Sequence, residues 1–110
     1  MVLNTEKING IAIVSLPEKL VSTNCAAFKQ DMEPLMQENS RLVFDMTQLN
    51  YMDSSALGAV VGCLKRMREK EGDLKLFGLT KRVLTLFELV RMHQVFEIFV
   101  TRQQAVDSFD

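Results

Sequence analysis

The sequence predicts an α/β fold: a single domain with a mostly parallel central sheet, an N-terminal antiparallel hairpin and helices packed around it. Three observations predict it. Short β-prone runs alternate with helical patterns along most of the chain, and parallel neighbours in a sheet need such crossovers. At the start the alternation fails. There Ile8-Asn9-Gly10 separates two β-prone runs, and Asn-Gly favours a type I′ turn between antiparallel strands. Finally, 110 residues suffice for one hydrophobic core and not for two.

The elements follow in the order β-β-α-β-α-β-α-β-α. Val2 to Lys7 and Ile11 to Leu16 are the hairpin strands, and Pro17 ends the second. Residues 22–38 read as a helix capped by Ser22 or Thr23, with Ala26, Ala27, Met32, Leu35 and Met36 inward. Pro34 within it removes an N–H and predicts a kink, or a stop and restart. Leu42-Val43-Phe44 has the continuous apolar character of a strand covered on both faces.

The next helix runs from about Ser54 to Lys70. Leu57, Val60, Val61, Leu64 and Met67 form its inward stripe, Lys65, Arg66, Arg68 and Lys70 complement its negative end, and Gly72 fits its stop. Leu74 to Phe77 is a strand. Gly78-Leu79 turns the chain, and Thr80 caps a helix from Lys81 to about Arg91 with Val83, Leu84, Phe87 and Val90 inward. Val95 to Val100 is the last strand. Thr101-Arg102-Gln103-Gln104 has capping-box spacing and opens a short terminal helix.

Composition excludes several classes. Charged residues make up 25% and hydrophobic residues 47%, as in folded soluble proteins. A formal net charge of −1 offers no electrostatic reason to bind nucleic acid or an anionic membrane. No apolar run approaches membrane-spanning length, and the N-terminus lacks the basic-then-apolar form of a signal peptide, so a cytoplasmic location is expected. Cys25 and Cys63 sit far apart, outside any metal spacing, and read as free thiols. The single histidine, His93, ends a helix. No nucleophile elbow, phosphate loop, metal cluster or dinucleotide fingerprint is present, so no cofactor and no catalysis are expected.

The stretch that carries chemistry is Met52-Asp53-Ser54-Ser55-Ala56-Leu57-Gly58. It places an acid and two hydroxyls at a helix start, where N–H groups are unpaired and the dipole is positive. A hydroxyl there serves either as a cap or as a place where a phosphoryl group is added and removed. No charged residue occurs from Ser54 to Leu64, and Ser55, Gly58, Ala59 and Gly62 lie opposite the apolar stripe. A solvated helix face normally carries charge, and glycine there costs up to about 1 kcal/mol relative to alanine. Such a face either docks a partner or lies under another element of the domain. Met52, Ala56, Gly58, Ala59 and Gly62 are the candidate partner contacts.

This motif resembles the signature of the STAS domain, in particular the bacterial anti-sigma factor antagonists, whose pattern is Asp-Ser-Ser/Thr-Gly-Leu-Gly on a loop entering a helix. The order of elements agrees with it over nearly the whole chain, residues 1–110. So do the Leu42-Val43-Phe44-Asp45 strand and the Leu79 to Leu89 segment on either side of the motif. The resemblance implies partner switching. The unphosphorylated protein binds an anti-sigma factor that is also a serine kinase of the histidine-kinase-like ATPase type, and releases that factor's other partner. Phosphorylation breaks the complex, and a PP2C-type phosphatase restores it. By the same resemblance Ser54 is the phosphoacceptor, with Asp53 and Ser55 shaping the site; ATP and its cation belong to the kinase.

Two positions depart from the family pattern. Ala56 replaces a glycine, and Val21 stands where many phosphorylatable members have an acid. Val21 favours the alternative of a STAS scaffold or adaptor that is never phosphorylated. A STAS subunit that binds a small ligand or a transporter is a further alternative.

Overall fold

The computed structural model of the protein describes Met1 and residues 3–110; the expected start of the first strand at Val2 lies outside the described residues. The hairpin is β1 (Asn4–Ile8) and β2 (Ile11–Ser15), paired antiparallel. Asn9 and Gly10 have φ of 53° and 78°, the two positive values a type I′ turn requires. Then come β3 (Lys19–Leu20), α1 (Ser22–Glu38), β4 (Arg41–Asp45), β5 (Tyr51–Met52) and α2 (Ser54–Glu69). The chain continues through β6 (Asp73–Phe77), α3 (Lys81–Leu89), a 3-10 turn (Met92–Gln94), β7 (Ile98–Phe99) and α4 (Arg102–Asp107). The main sheet runs β1-β2-β4-β6-β7, parallel throughout except for the edge strand β1. Fold class and hairpin placement are therefore as the sequence predicts.

The two faces of the sheet are covered unequally. Ala12, Val14, Leu42, Phe44, Leu74 and Leu76 alternate onto one face and join Phe28, Met32, Val60 and Leu64 from α1 and α2 in the main core. Phe28 and Phe44 meet edge to face with centroids 6.0 Å apart, an arrangement that contributes roughly 0.5–1.5 kcal/mol beyond area burial. Ile11, Ile13, Val43 and Phe77 alternate onto the other face, under Ala105 and Val106 of the short α4. The capping box expected at Thr101 holds α4's start: the Thr101 hydroxyl accepts from the Gln104 N–H at 3.2 Å, and Gln104 Oε1 accepts from the Thr101 N–H at 3.2 Å.

On this thinner side lies a buried cation. Lys75 Nζ is 2.9 Å from Glu97, donates to the Ser108 carbonyl at 3.0 Å and hydroxyl at 2.9 Å, and sits 4.3 Å from the Phe109 ring centroid. Each partner answers the cost of burying an ammonium group, and together they fasten the C-terminus to a central strand.

Several local expectations are corrected. α1 passes through Pro34 as one helix; Pro34 is exposed. Its N-cap is Val21, with Ser22 and Thr23 already helical, and its inward residues are Cys25, Phe28, Met32 and Met36. Ala26 is exposed, and Ala27 and Leu35 are half-buried. α2 stops because Glu71 adopts φ of 64°, with the Gly72 N–H bonding the Met67 carbonyl at 2.7 Å and the Glu71 N–H the Arg68 carbonyl at 3.1 Å. Gly72 serves close approach instead: a Cβ there would stand 2.5 Å from the Ser40 carbonyl oxygen. Thr80 caps α3 as expected, but α3 ends at Leu89, so Val90 is 42% exposed rather than inward, and Leu84 is half-buried. The last strand shrinks to Ile98–Phe99 because the 3-10 turn uses the residues before it.

Candidate functional site

The site is assembled by a two-residue parallel pair that the sequence reading missed. β3 lies beside β5, with Lys19 opposite Tyr51 and Leu20 opposite Met52, and the Asn50 N–H bonds the Glu18 carbonyl at 2.8 Å. Each strand leads after one residue into a helix, so α1 and α2 start side by side at one end of the sheet. A sequence signal for this exists. Lys19-Leu20-Val21-Ser22 and Tyr51-Met52-Asp53-Ser54 share one pattern: an exposed residue, a buried apolar one, an N-cap, then a serine at the first helical position.

Asp53 is the N-cap of α2. Its Oδ1 accepts from the Ala56 N–H at 3.0 Å and its Oδ2 from the Ser22 N–H of α1 at 2.9 Å. These bonds, Ala56's first and Ser22's second, hold its carboxyl below the ordinary value, because N–H donors favour the charged form. The capping role that a serine could have filled therefore belongs to Asp53. Ser54 occupies the first helical position, exposed, and among the described residues its hydroxyl makes no hydrogen bond. Ser55 is exposed beside it.

The inward stripe of α2 is Ala56, Ala59, Val60, Cys63, Leu64 and Met67. Leu57 and Val61, expected in the stripe, sit half-buried at its edge. The face offered to a partner changes accordingly. Met52 is 5% exposed and Ala56 0%, so these two candidate contacts are core residues, whereas Ala59, 5% exposed, still lines a groove on the surface. Gly58 and Gly62 remain open: a Cβ at either meets nothing within 4 Å. They form a low ridge between two shallow grooves. One groove is walled by Leu57, Val61, Val90 and Met92, with Ser54 at its lip. The other lies against α1, between Ala59 and Cys63 on one side and Lys29 and Met36 on the other.

The remaining candidates lie elsewhere. His93 is exposed in the 3-10 turn. Cys63 is buried, and burial pushes its thiol up to about 11; Cys25 is pushed up as well, by burial first and then by the Asp53 carboxylate. Both thiols are thus held protonated near neutral pH and are poor nucleophiles. No helix among the described residues is long and apolar enough to cross a membrane.

Fold and site define a small α/β domain that brings two helix starts together at one end of a mostly parallel sheet and leaves there a serine whose hydroxyl is unbonded among the described residues. The sequence profile of the STAS domain matches residues 2–105, and the chain belongs to the STAS domain family. It is 40% identical over 63 residues to the anti-sigma-B factor antagonist of Listeria monocytogenes, covering 57% of this chain and 55% of that protein. It is 30% identical over 70 residues to the anti-sigma-B factor antagonist of Bacillus subtilis, covering 64% of each. The chain thus spans little more than half the length of these curated relatives in the matched regions. The structure of the phosphorylated Bacillus cell fate determinant SpoIIAA superposes with a TM-score of 0.75 over 98% of this chain and 99% of that one, at 15% identity, which is a likeness of fold.

Proposed function

We propose that the protein is an anti-sigma factor antagonist that works by partner switching, with Ser54 as the phosphoacceptor. The observation that carries the reading is the setting of Ser54: exposed at the first position of α2, with its hydroxyl unbonded among the described residues and the cap supplied by Asp53. Two relatives bear the name anti-sigma-B factor antagonist, and a protein of the same fold has been solved phosphorylated, which supports both halves of the reading.

The partner is an anti-sigma factor that is itself a serine kinase of the histidine-kinase-like ATPase type. It docks on the open ridge of Gly58 and Gly62, next to Ser54 and Ser55. The transfer forms a bond between Ser54 Oγ and the γ-phosphorus of ATP. The bond from that phosphorus to ADP breaks, and the hydroxyl proton leaves to a base of the kinase. The product carries about −1.5 to −2 added charges beside Asp53. A helix start accepts that charge without unfolding. A partner packed against the neutral serine then faces a poorly paired charge, which costs ~2–5 kcal/mol, a roughly 30- to several-thousand-fold loss of affinity. A PP2C-type phosphatase returns the protein to its binding form in the cytoplasm.

The test is incubation with the ATPase of this type encoded nearest to the protein, with ATP, followed by intact mass and site mapping. One phosphate on Ser54 and release of the complex are expected. A stable complex with no phosphate after prolonged incubation overturns the switch and favours an unmodified scaffold. The observation behind that second reading is Val21, a half-buried valine at α1's start in place of the acid that many phosphorylatable members carry.

A further inference from the structure

Two helices start side by side, and one carboxylate serves both. Val21, the N-cap of α1, has no side chain able to accept a hydrogen bond. The Ser22 N–H instead depends on Asp53 Oδ2, 31 residues further along the chain, while the other oxygen of the same carboxylate holds the Ala56 N–H of α2. The charge therefore lies between two positive helix ends, which places it well electrostatically and ties the ends together. The rest of α1's entry is held independently of Asp53. Asn24 Oδ1 accepts from the Val21 N–H at 2.8 Å, and its amide donates to the Lys19 carbonyl at 2.9 Å.

Given Ser54 as the phosphoacceptor, we infer that Asp53 extends the switched surface to the first turn of α1, residues 21–23. A phosphoryl group on Ser54 displaces the shared carboxylate and frees the Ser22 N–H. Two effects act in the same direction. Phosphoserine at the first position of α2 brings strong acceptor oxygens to the first-turn N–H groups, one of which Asp53 Oδ1 now occupies. Its charge also repels the neighbouring carboxylate. Ser22 and Thr23 are exposed, so the freed N–H passes to water. Asn24 confines the loosening to the first turn. A partner that touches both helix starts loses its fit at α1 as well as at Ser54, although α1 itself is not modified.

The experiment installs phosphoserine at position 54 of the full chain during synthesis, so that no kinase is needed, and follows amide hydrogen exchange by NMR. Exchange at Ser22 is expected to rise about tenfold or more relative to the unmodified protein, with Phe44 in the central strand unchanged. A second protein, Asp53→Asn, keeps one oxygen for Ala56 but turns an NH2 toward Ser22. Its Ser22 amide is expected to exchange fast already, with phosphoserine adding less than about twofold. Unchanged or slower exchange at Ser22 in the phosphoserine protein overturns the coupling. Equal increments with and without the aspartate carboxylate overturn Asp53's part in it. Because the phosphate is placed synthetically, these outcomes bear on the coupling alone, whereas absence of phosphate after incubation with the kinase bears on Ser54 as acceptor.

Discussion

The two ends of α2 are built on opposite principles. At its C-terminal end the cations are engaged within the chain. Arg66 bonds Glu33 on α1, Lys70 Nζ points at the carbonyls of Met36, Gln37 and Asn39 where α1 ends, and Arg68 lies 3.7 Å from Asp73. Two helix C-termini, both negative, thus share a set of positive side chains. At the N-terminal end there is no charge from Ser54 to Leu64, Gly58 is exposed, and the nearest long side chains stand at the groove walls. One end is fastened to its neighbour by charge. At the other, the helix itself carries no charge from Ser54 to Leu64. A partner can approach the Gly58 and Gly62 backbone without meeting a charged side chain of that stretch, until a phosphoryl group puts a charge on Ser54. A single helix can therefore be anchored and remain available for docking.

The most disruptive change at the open end is Gly58→Arg. A Cβ there has free space, and arginine has a better helix propensity than glycine, so the melting temperature should move by no more than about 2 °C. Affinity for the ATPase partner, measured by calorimetry, should fall at least about a hundredfold, because a long cation stands where the partner must approach the backbone. Gly62→Arg should behave alike. Unchanged affinity in both variants would remove the docking role from this end of α2.

The fastened end responds in the reverse manner, losing stability and not binding. Gly72→Ala drives a Cβ to 2.5 Å from the Ser40 carbonyl and 3.1 Å from the end of Met67. Backbone cannot yield as a flexible side chain can, so the predicted loss is about 1–3 kcal/mol in urea unfolding, with partner affinity unchanged in the folded protein. A stability equal to that of the parent would mean that the α2–β4 junction relaxes freely and that this end is less tightly fastened than its contacts suggest.

How much of this was legible in the sequence depended on how far each signal reached. Asn9-Gly10, Thr80 and the Thr101–Gln104 box act over a few residues, and each was read correctly. The extent of α1 and the start of α2 were also read correctly, as were Met32, Met36, Val60, Leu64 and Met67 as inward residues, but part of each inward face was not. Leu57 and Val61 outrank Ala56, Ala59 and Cys63 in hydrophobicity, yet the smaller residues face inward. Ser54 was placed at the right helix start, but the cap went to Asp53. The β3–β5 pair, the Asp53–Ser22 bond and the burial of Met52 needed knowledge of which distant segments meet. Only the repeated pattern before Ser22 and Ser54 hinted at it. Pro34 misled because the N–H it lacks is lost on an exposed stretch of helix.

Acid distinguishes the two ends more finely. Asp53 and Glu33 both have carboxyls held below their ordinary values of 3.8 and 4.5, the first chiefly by the Ala56 N–H and the second chiefly by the Arg66 guanidinium. A carboxyl lowered on folding contributes stability that is complete above its unfolded value and is lost as pH falls through its folded value. The parent should therefore lose more stability between about pH 5 and pH 2.5 than either Asp53→Asn or Glu33→Gln. The two should differ in salt. Glu33 and Arg66 are 41% and 48% exposed, so their pairing is screened, and the Glu33→Gln difference should shrink toward nothing in about 0.5 M NaCl. Asp53 is held by directed N–H bonds at two helix starts, and its difference should persist. Thermal melts at pH 3 and 6, with and without salt, read both effects. If the Asp53 difference also vanishes in salt, the shared cap acts as a diffuse charge and not as a pair of bonds joining α1 to α2.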